Sequence, residues 1–217
     1  MIDMDTTIND ICQHPIDTEN HTSLNRIADY FRMGGDRDQL IPMLLHSNED
    51  VISSGLWVLS EVENANCSIE LSHILLKLIE HINPIIRMYA GSSLAESLPS
   101  LGANYVARWI PLLWDSNEGV KTRALMSVRY LDDVSIRKLS TTHMAKEALA
   151  LSRNTEPKEI CTAVLSTDSA TRSIAIAAAI RSHSHDKSLM NQIHLALQDI
   201  DPTDARIFWN VARLYGS

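Results

Sequence analysis

Cysteine, glycine, proline and aromatic residues are all scarce in this sequence, and the shortages exclude several classes of protein. The three cysteines, Cys12, Cys67 and Cys161, are far apart and form no CxxC pair, which argues against a disulfide framework and a thiolate metal site. Only seven glycines and seven prolines occur in 217 residues, and no convincing alternation of apolar and polar residues indicates a β-strand. Apolar residues at helical spacing follow Ser23 almost everywhere, so the chain is predicted to be all-α.

Export and membrane signals are also missing. Residues 1–13 contain Asp3, Asp5 and Asp10 and lack both the basic start and the apolar centre of a signal peptide. No run of about 18 apolar residues occurs without a charge, so no transmembrane helix is predicted. The expected location is cytoplasmic, without a membrane partner.

Basic residues are scarce in the first third of the chain only. The net charge is −8, but residues 1–76 hold thirteen Asp and Glu against three Lys and Arg, a balance of −10. Residues 77–217 hold fourteen acidic and sixteen basic residues, a balance of +2. The field of the first third would repel nucleic-acid phosphate and attract a basic protein surface. The alternative is that acidic helix surfaces serve solubility alone.

One segment recurs along the chain: a helix ends, a polar turn follows, and a second helix opens with an aliphatic residue. Val51, Ile86 and Val120 mark three copies that are 35 and 34 residues apart, a period typical of helical solenoids. Each copy has a small residue four positions later: Gly55, Ala90 and Ala124. The aliphatic side chain is predicted to enter the core, and the small one to let the paired helices approach closely. Side-chain oxygens in the turns are predicted to cap the second helices.

These segments resemble the HEAT-repeat family of armadillo/HEAT-like α-solenoids, in its bacterial form. The family's signature of a polar turn, Val-Arg and Ala matches Ile86-Arg87 with Ala90, and Val120-Lys121 with Ala124. The resemblance implies an all-α fold, an α-α superhelix of about five to six HEAT-like helical pairs. A single domain is expected over residues 1–217.

The repeats are not equally regular along that domain. Residues 1–22 are expected to be partly irregular, and residues 36–131 contain the clearest repeats. Val120 and the corresponding Thr171 are 51 residues apart, so an irregular insertion with an extra helix is expected at about 132–156. Residues 187–217 are expected to form a C-terminal cap. Gly34-Gly35 is predicted to end the opening helix.

Sequence signatures of catalysis, cofactor binding and metal binding are missing. There is no GxGxxG, Walker-type loop, HExxH, GxSxG or Cys/His quartet. His183-Ser-His185-Asp186 groups metal-ligand types, but histidines two positions apart do not share a helix face, and a place at a helix end explains them better. His46, His73 and His81 are interpreted as interhelical or capping residues. The chain is therefore predicted not to be an enzyme and to need no cofactor or metal.

The helix predicted over Val51–Val62 carries the candidate binding site. Its buried stripe is Val51, Gly55, Val58, Leu59 and Val62. Trp57 then lies among carboxylates on the other side, where an aromatic anchor could dominate an interface. The resemblance places Trp57, Glu61 and Glu96 on one inner wall; the alternative is that Trp57 packs against the neighbouring repeat. The predicted partner-binding set is Glu49, Asp50, Ser53, Trp57, Glu61, Glu63 and Glu96.

Three functional hypotheses follow. The favoured one is a protein-binding module for a basic protein, and its most specific version is an immunity protein that neutralises a nuclease-like toxin domain. A second hypothesis is a nucleic-acid-binding protein, because Trp109, Trp114 and Asp115 match residue types of HEAT-like alkylpurine DNA glycosylases; however, no basic stripe accompanies them. A third, an accessory factor similar to the phycobilin lyases, rests on repeat architecture alone. No oligomeric state is predicted.

Overall fold

The computed structural model describes residues 4–13, 21–62, 67–152 and 156–215, and over these ranges every regular element is a helix. The prediction of an all-α protein is confirmed. Contacts between residues divide the chain into two compact units, Met1–Ser97 and Leu98–Ser217. The expectation of a single domain over residues 1–217 remains a prediction. None of the described helices is long and apolar enough to cross a membrane.

The first unit is built from two layers of helices. Its described helices are α1 (Met4–Gln13), α2 (His21–Arg32), α3 (Ile41–Leu44), α4 (Glu49–Ser60), α5 (Ile69–Leu78) and α6 (Pro84–Ser97). In the first layer, α3 contacts both α1 and α5; in the second layer, α4 contacts both α2 and α6. The pairs α3–α4 and α5–α6 join the layers. This arrangement is the stacked helical pair that the 35-residue spacing predicts.

The repeated aliphatic and small residues hold these helices together as expected. Val51, Ile86 and Val120 are all buried, and so are the small residues that follow them: Gly55, Ala90 and Ala124. A Cβ atom added at Gly55 would lie 3.0 Å from the Met43 Cβ atom and 3.1 Å from the Leu44 Cδ2 atom. The glycine therefore sets how closely α3 approaches α4.

Gly55→Leu is expected to lower the free energy of unfolding by about 3 kcal/mol, because the added side chain has to push α3 away from α4. Ser54→Leu is the matched control, since it adds the same side chain at the neighbouring half-buried position. Chemical denaturation followed by circular dichroism measures both variants. Equal losses for the two would show that Gly55 does not control the helix spacing.

Four of the second helices begin in a turn of the same design. A side chain at the start of the turn accepts a hydrogen bond from the backbone N–H two residues later, as His46 Nδ1 does from Asn48 at 3.1 Å. The equivalent acceptors are His81 Nδ1, Asp115 Oδ1 and Ser166 Oγ. The Asn or Asp two positions later then caps the helix, as Asn48 Oδ1 does for the Asp50 N–H at 2.8 Å. His46 and His81 thus hold the turns that precede these helices, which agrees with their interpretation as interhelical or capping residues.

The beginning of the chain contains a helix. Within residues 1–22, which are expected to be partly irregular, α1 occupies Met4–Gln13 and buries Met4, Ile8 and Ile11. The predicted end of α2 is confirmed, because Gly34 adopts a φ of +94°, in the left-handed region that favours glycine. Residues 14–20 lie outside the described part of the chain.

The second unit contains more varied helix pairs. Its described α-helices are α7 (Ala103–Trp109), α8 (Glu118–Ser127), α9 (Asp133–Leu139), α10 (Ala145–Leu151), α11 (Pro157–Val164), α12 (Ser169–His183), α13 (Lys187–Ile200) and α14 (Pro202–Tyr215). The pairs α11–α12 and α13–α14 pack closely, and α14 also contacts α8 and α12. The helices α9 and α10 occupy the 51-residue gap between Val120 and Thr171.

A buried ionic network joins the second unit. The Asp204 carboxylate on α14 accepts hydrogen bonds from the Lys121 ammonium on α8 and, at 2.8 Å, from Nε of Arg172 on α12. Arg172 also donates to Asp201 Oδ2 and to the Ser166 carbonyl oxygen, both at 2.9 Å. Lys121, Arg172 and Asp204 are all buried. Lys121, which occupies the basic position of the repeat signature, therefore has a structural role in this unit.

Candidate functional site

Helix α4, the predicted centre of the site, is buried on more sides than the sequence indicates. The predicted stripe from Val51 to Val62 is buried throughout. Ile52 and Leu56, which lie outside that stripe, are buried as well, because α4 is flanked by α2 and α6 and also pairs with α3. Trp57 is half-buried, so the tryptophan presents only part of its indole to solvent.

The predicted binding residues do not form one cluster. Glu49 and Asp50 open α4, whereas Glu61 directly follows its last residue. A helix of 12 residues is about 18 Å long, so these carboxylates lie at opposite ends of α4. Ser53 and Trp57 occupy the helix between them. Glu63 lies outside the described residues.

At the N-terminal end of α4, Glu49 contributes to the contact between consecutive turns. Its Oε2 atom accepts a hydrogen bond from Asn83 Nδ2 at 2.6 Å, and its Oε1 atom is 4.0 Å from His81 Nε2. Asn83 and His81 belong to the turn before α6. The carboxylate of Glu49 therefore bridges two repeats, a role that the prediction of partner binding did not include.

At the C-terminal end of α4, Glu61 is paired with an arginine of α2. Arg32 Nη2 lies 3.4 Å from Glu61 Oε2, and Arg32 Nε donates to the Glu61 carbonyl oxygen at 3.2 Å. Arg32 Nη1 also binds Asp29 Oδ1 at 2.7 Å. The Arg32 and Glu61 side chains are 44% and 41% exposed, and ion pairs at such exposure contribute about 0–1 kcal/mol. These ion pairs therefore contribute little to the stability of the first unit.

The end of α6 lies in the same region. The backbone N–H of Cys67 donates to Ser97 Oγ at 3.1 Å, which ties the last residue of α6 to the segment before α5. Cys67 also lines a hollow of about 410 Å³ beside the end of α2, with Phe31, Gly34, Gly35, Asp36, Arg37, Asp38 and Ser68. The C-terminal ends of α2, α4 and α6 thus meet at one side of the first unit.

Glu96 also belongs to this side, because it directly precedes Ser97 in the last turn of α6. Burial raises the pKa of the Cys67 thiol, the hydrogen bond with Ser97 and the charge of Arg37 oppose that rise, and the charges of Glu96 and Asp38 add to it. The thiol is therefore protonated near neutral pH and is a poor nucleophile. Burial likewise raises the pKa of Cys12.

We call this side the acidic edge and define it by seven residues: Asp29, Asp36, Asp38, Glu61 and Glu96, with Arg32 and Arg37. These residues carry five carboxylates and two guanidinium groups, so negative charge is in excess. The partial negative charge at the C-terminal ends of three helices adds to the same field. The acidic edge is consequently a place where cations are favoured.

The sequence identified Glu61 and Glu96 but not the other carboxylates of the acidic edge as binding residues. Asp29 precedes Glu61 by 32 residues, and only the packing of α2 beside α4 brings them to one arginine. The only indication of these carboxylates in the sequence was its composition, because no basic residue occurs between Asp38 and Leu76.

Residues of the histidine cluster and Trp109 have structural roles. His183 is the last residue of α12, and Asp186 caps α13 through a hydrogen bond from the Leu189 N–H. No group of three or more His, Cys, Asp or Glu that could hold a metal ion occurs in the part of the chain that the structure describes. Trp109 is 0% exposed, so its ring is unable to stack on a nucleotide.

Asp115, which the nucleic-acid hypothesis pairs with these tryptophans, belongs to the turn before α8. Its Oδ1 atom accepts a hydrogen bond from the Asn117 N–H at 2.8 Å, and Asn117 caps α8. Asp115 is therefore part of the polar turn that opens α8.

Comparison with known proteins identifies the fold by structure only. Neither the models of protein families nor the curated proteins match this sequence. A designed armadillo repeat protein in complex with peptide (KR)4 is similar over 100% of both chains, with a TM-score of 0.50 and 15% identity. A second designed armadillo repeat protein has a TM-score of 0.47 and 16% identity over 99% of this chain and 98% of the other. The chain is an all-α solenoid of repeated helices, as the sequence predicts.

Proposed function

We propose that this chain is a non-catalytic protein-binding module whose acidic edge binds a basic segment of another protein. The observation that carries the proposal is the excess of five carboxylates over two guanidinium groups at the meeting point of three helix C-termini. Carboxylates held on stacked helices are preorganised, so binding a partner requires little reordering of this surface.

The exposed ion pairs of Arg32 favour exchange with a partner. A lysine or arginine from outside can replace Arg32 at Glu61 or Asp29 with little loss, because both bridges are exposed to solvent. Trp57 lies about one turn before Glu61 on α4 and supplies an apolar surface beside these charges. Long basic side chains fit such a surface, since they combine an aliphatic stem with a charged end.

The armadillo protein at TM-score 0.50 is itself described in complex with the peptide (KR)4. That ligand has the chemistry proposed for this chain, although the proposal rests on this chain's own carboxylates. A more specific proposal is that the natural partner is a basic toxin domain and that the chain acts as an immunity protein. Co-expression with the reading frame next to its gene tests this version: rescue of growth supports it, and a non-toxic neighbour contradicts it.

The general proposal is tested with (KR)4 as the probe, in fluorescence anisotropy at several salt concentrations. We expect the double variant Glu61→Lys/Glu96→Lys to weaken binding at least tenfold, because two attractions become repulsions. Raising the salt from about 50 to 500 mM is also expected to weaken binding at least tenfold, because the screening length falls to a few ångströms.

Glu80→Lys is the matched control for the charge reversals. Glu80 is exposed just after the C-terminal end of α5, whereas the hollow at the acidic edge is lined by Ser68 at the opposite end of that helix. Thermal unfolding of every variant verifies that the protein is folded. Affinity that does not respond to salt, or that falls equally with Glu80→Lys, would contradict a role for the acidic edge.

A further inference from the structure

A groove of about 620 Å³ lies in the second unit, far along the sequence from the acidic edge. Its lining comes from α10, α11 and α12, and both α10 and α11 pack against α12. The groove is thus bounded on two sides by helices of a single unit. Its volume falls within the range of about 300–1,000 Å³ that is typical of small-molecule sites.

The groove arises where the repeat is irregular. In the 51-residue gap the chain inserts α9 and α10, so α12 contacts an additional helix beside its own partner α11. Alanines face the resulting space, among them Ala163, Ala175 and Ala178. An alanine side chain ends at its Cβ atom and leaves the space between the helices unfilled. Together with Ile160 and Ile174, these residues give the groove an apolar floor.

The polar part of the lining is acidic. The lining has an excess of negative charge: it contains the carboxylates of Glu147, Glu159 and Asp168 and one ammonium group, that of Lys146. Asp168 caps α12 by accepting the Thr171 N–H at 2.8 Å. Its hydrogen bonds with Thr171 hold the pKa of Asp168 below its usual range, so this carboxylate is charged near neutral pH.

Glu147 is the carboxylate of the lining whose charge is least compensated. Its Oε2 atom is enclosed by protein and has no hydrogen-bond partner among the described residues. A carboxylate oxygen removed from water without a partner raises the free energy of the protein. A positive charge in the groove would lower that cost through its attraction to the carboxylate, whereas an anion would increase it.

We propose that this groove binds an amphipathic organic cation. The apolar body of the ligand lies on the floor of alanines and isoleucines, and its ammonium or guanidinium group donates a hydrogen bond to Glu147. Glu159 and Asp168 add long-range attraction for the positive charge. An inorganic cation does not fit, because most of the lining is apolar. The inference does not depend on the proposed function, since the acidic edge belongs to the other unit.

The test uses three probes with the same phenyl group and a similar chain length: 4-phenylbutylammonium, 4-phenylbutanol and 4-phenylbutyrate. Isothermal titration calorimetry on the full chain is expected to show the cation binding at least tenfold more tightly than the alcohol, with the carboxylate weakest. Glu147→Gln is expected to remove the preference for the cation over the alcohol, because the variant keeps the shape of the side chain and loses its charge. Ala163→Leu is expected to weaken both the cation and the alcohol, because the larger side chain fills the groove.

Asp199→Asn is the matched control. Asp199 is exposed on α13 outside the groove, so the variant removes the same charge and is expected to leave all three affinities unchanged. Glu159→Gln provides an independent loss of charge at an exposed position, with a severalfold weaker affinity for the cation expected.

Three results would overturn the proposal: equal affinities for the three probes, a cation preference that survives both glutamine variants, or binding by none of the probes. Competition with (KR)4 separates the two sites. If Glu147→Gln abolishes the binding of (KR)4 and the charge reversals at the acidic edge do not, the groove is the peptide site, and the proposed role of the acidic edge is wrong. If only the three small probes fail to bind as expected, the groove proposal alone is wrong.

Discussion

Asp204→Ala is expected to lower the free energy of unfolding by about 3–5 kcal/mol, because it leaves two cations buried in the second unit without their shared carboxylate. The Asp204 side chain is 1% exposed, and the side chains of Lys121 and Arg172 are 9% and 7% exposed. Arg172 keeps its contact with Asp201, so the ammonium of Lys121 suffers the greater loss. Chemical denaturation of the purified variant measures the effect.

Glu118→Ala is the matched control for this prediction. Glu118 on α8 pairs with Arg206 on α14, so this bridge joins two of the helices that the buried network joins. Its two side chains are 53% and 60% exposed, and we expect a loss below about 1 kcal/mol. A loss for Asp204→Ala no larger than that of the control would show that the buried network does not stabilise the unit.

A second comparison separates the cost of an unpaired charge from the value of the network. Replacing Lys121, Arg172 and Asp204 together with Met, Met and Leu removes the three buried charges. Asp201 loses its contact with Arg172, but its side chain is 32% exposed and remains hydrated. Such replacements in other proteins are often neutral or stabilising. We therefore expect the triple variant to be more stable than Asp204→Ala, even though it has lost more hydrogen bonds.

The network also shows how far a repeat pattern can predict a fold. The spacing of Val51, Ile86 and Val120 predicts which residues are buried, because each helical pair packs mainly on its neighbours and repeats the same local contacts. The pattern identifies Lys121 as part of the repeat signature. It does not predict that Lys121 meets Asp204, 83 residues later, because the 51-residue gap hides which second helices become neighbours.

Prediction of the candidate site from the sequence is limited for the same physical reason, because the pattern within one helix does not show which helices pack beside it. The period of α4 predicts its buried stripe, but a helix between two neighbours in a layer also buries Ile52 and Leu56. Pairing of side chains is still harder to predict. Arg32 and Glu61 are 29 residues apart, and their contact depends on the register between α2 and α4 rather than on either helix alone.

Helix α1 is a different case, because its signal was present in the sequence. Met4, Ile8 and Ile11 follow helical spacing and are all buried. The expectation of a partly irregular stretch over residues 1–22 did not use this spacing. A helix of 10 residues is marginal in isolation, and its packing on α3 supplies the stability that its own sequence does not.

Alanine substitutions at Trp57 and Trp109 are expected to give opposite results. Trp109 is the largest fully buried side chain described, and Trp109→Ala is expected to cost about 3–5 kcal/mol of unfolding free energy through the cavity it leaves. The folded fraction of that variant is expected to bind (KR)4 normally, because Trp109 lies in the other unit. The nucleic-acid hypothesis predicts the reverse, a stable protein with a lost stacking surface.

Trp57→Ala is expected to weaken binding of (KR)4 at least tenfold while costing less stability than Trp109→Ala, because the indole of Trp57 is only half-buried beside the acidic edge. Trp57→Phe, which keeps an aromatic ring, should recover part of the affinity. Anisotropy titrations at protein concentrations corrected for the folded fraction separate the two effects. If Trp57→Ala instead unfolds the protein as readily as Trp109→Ala and leaves the affinity of folded molecules unchanged, Trp57 packs between repeats and the acidic edge binds without an aromatic anchor.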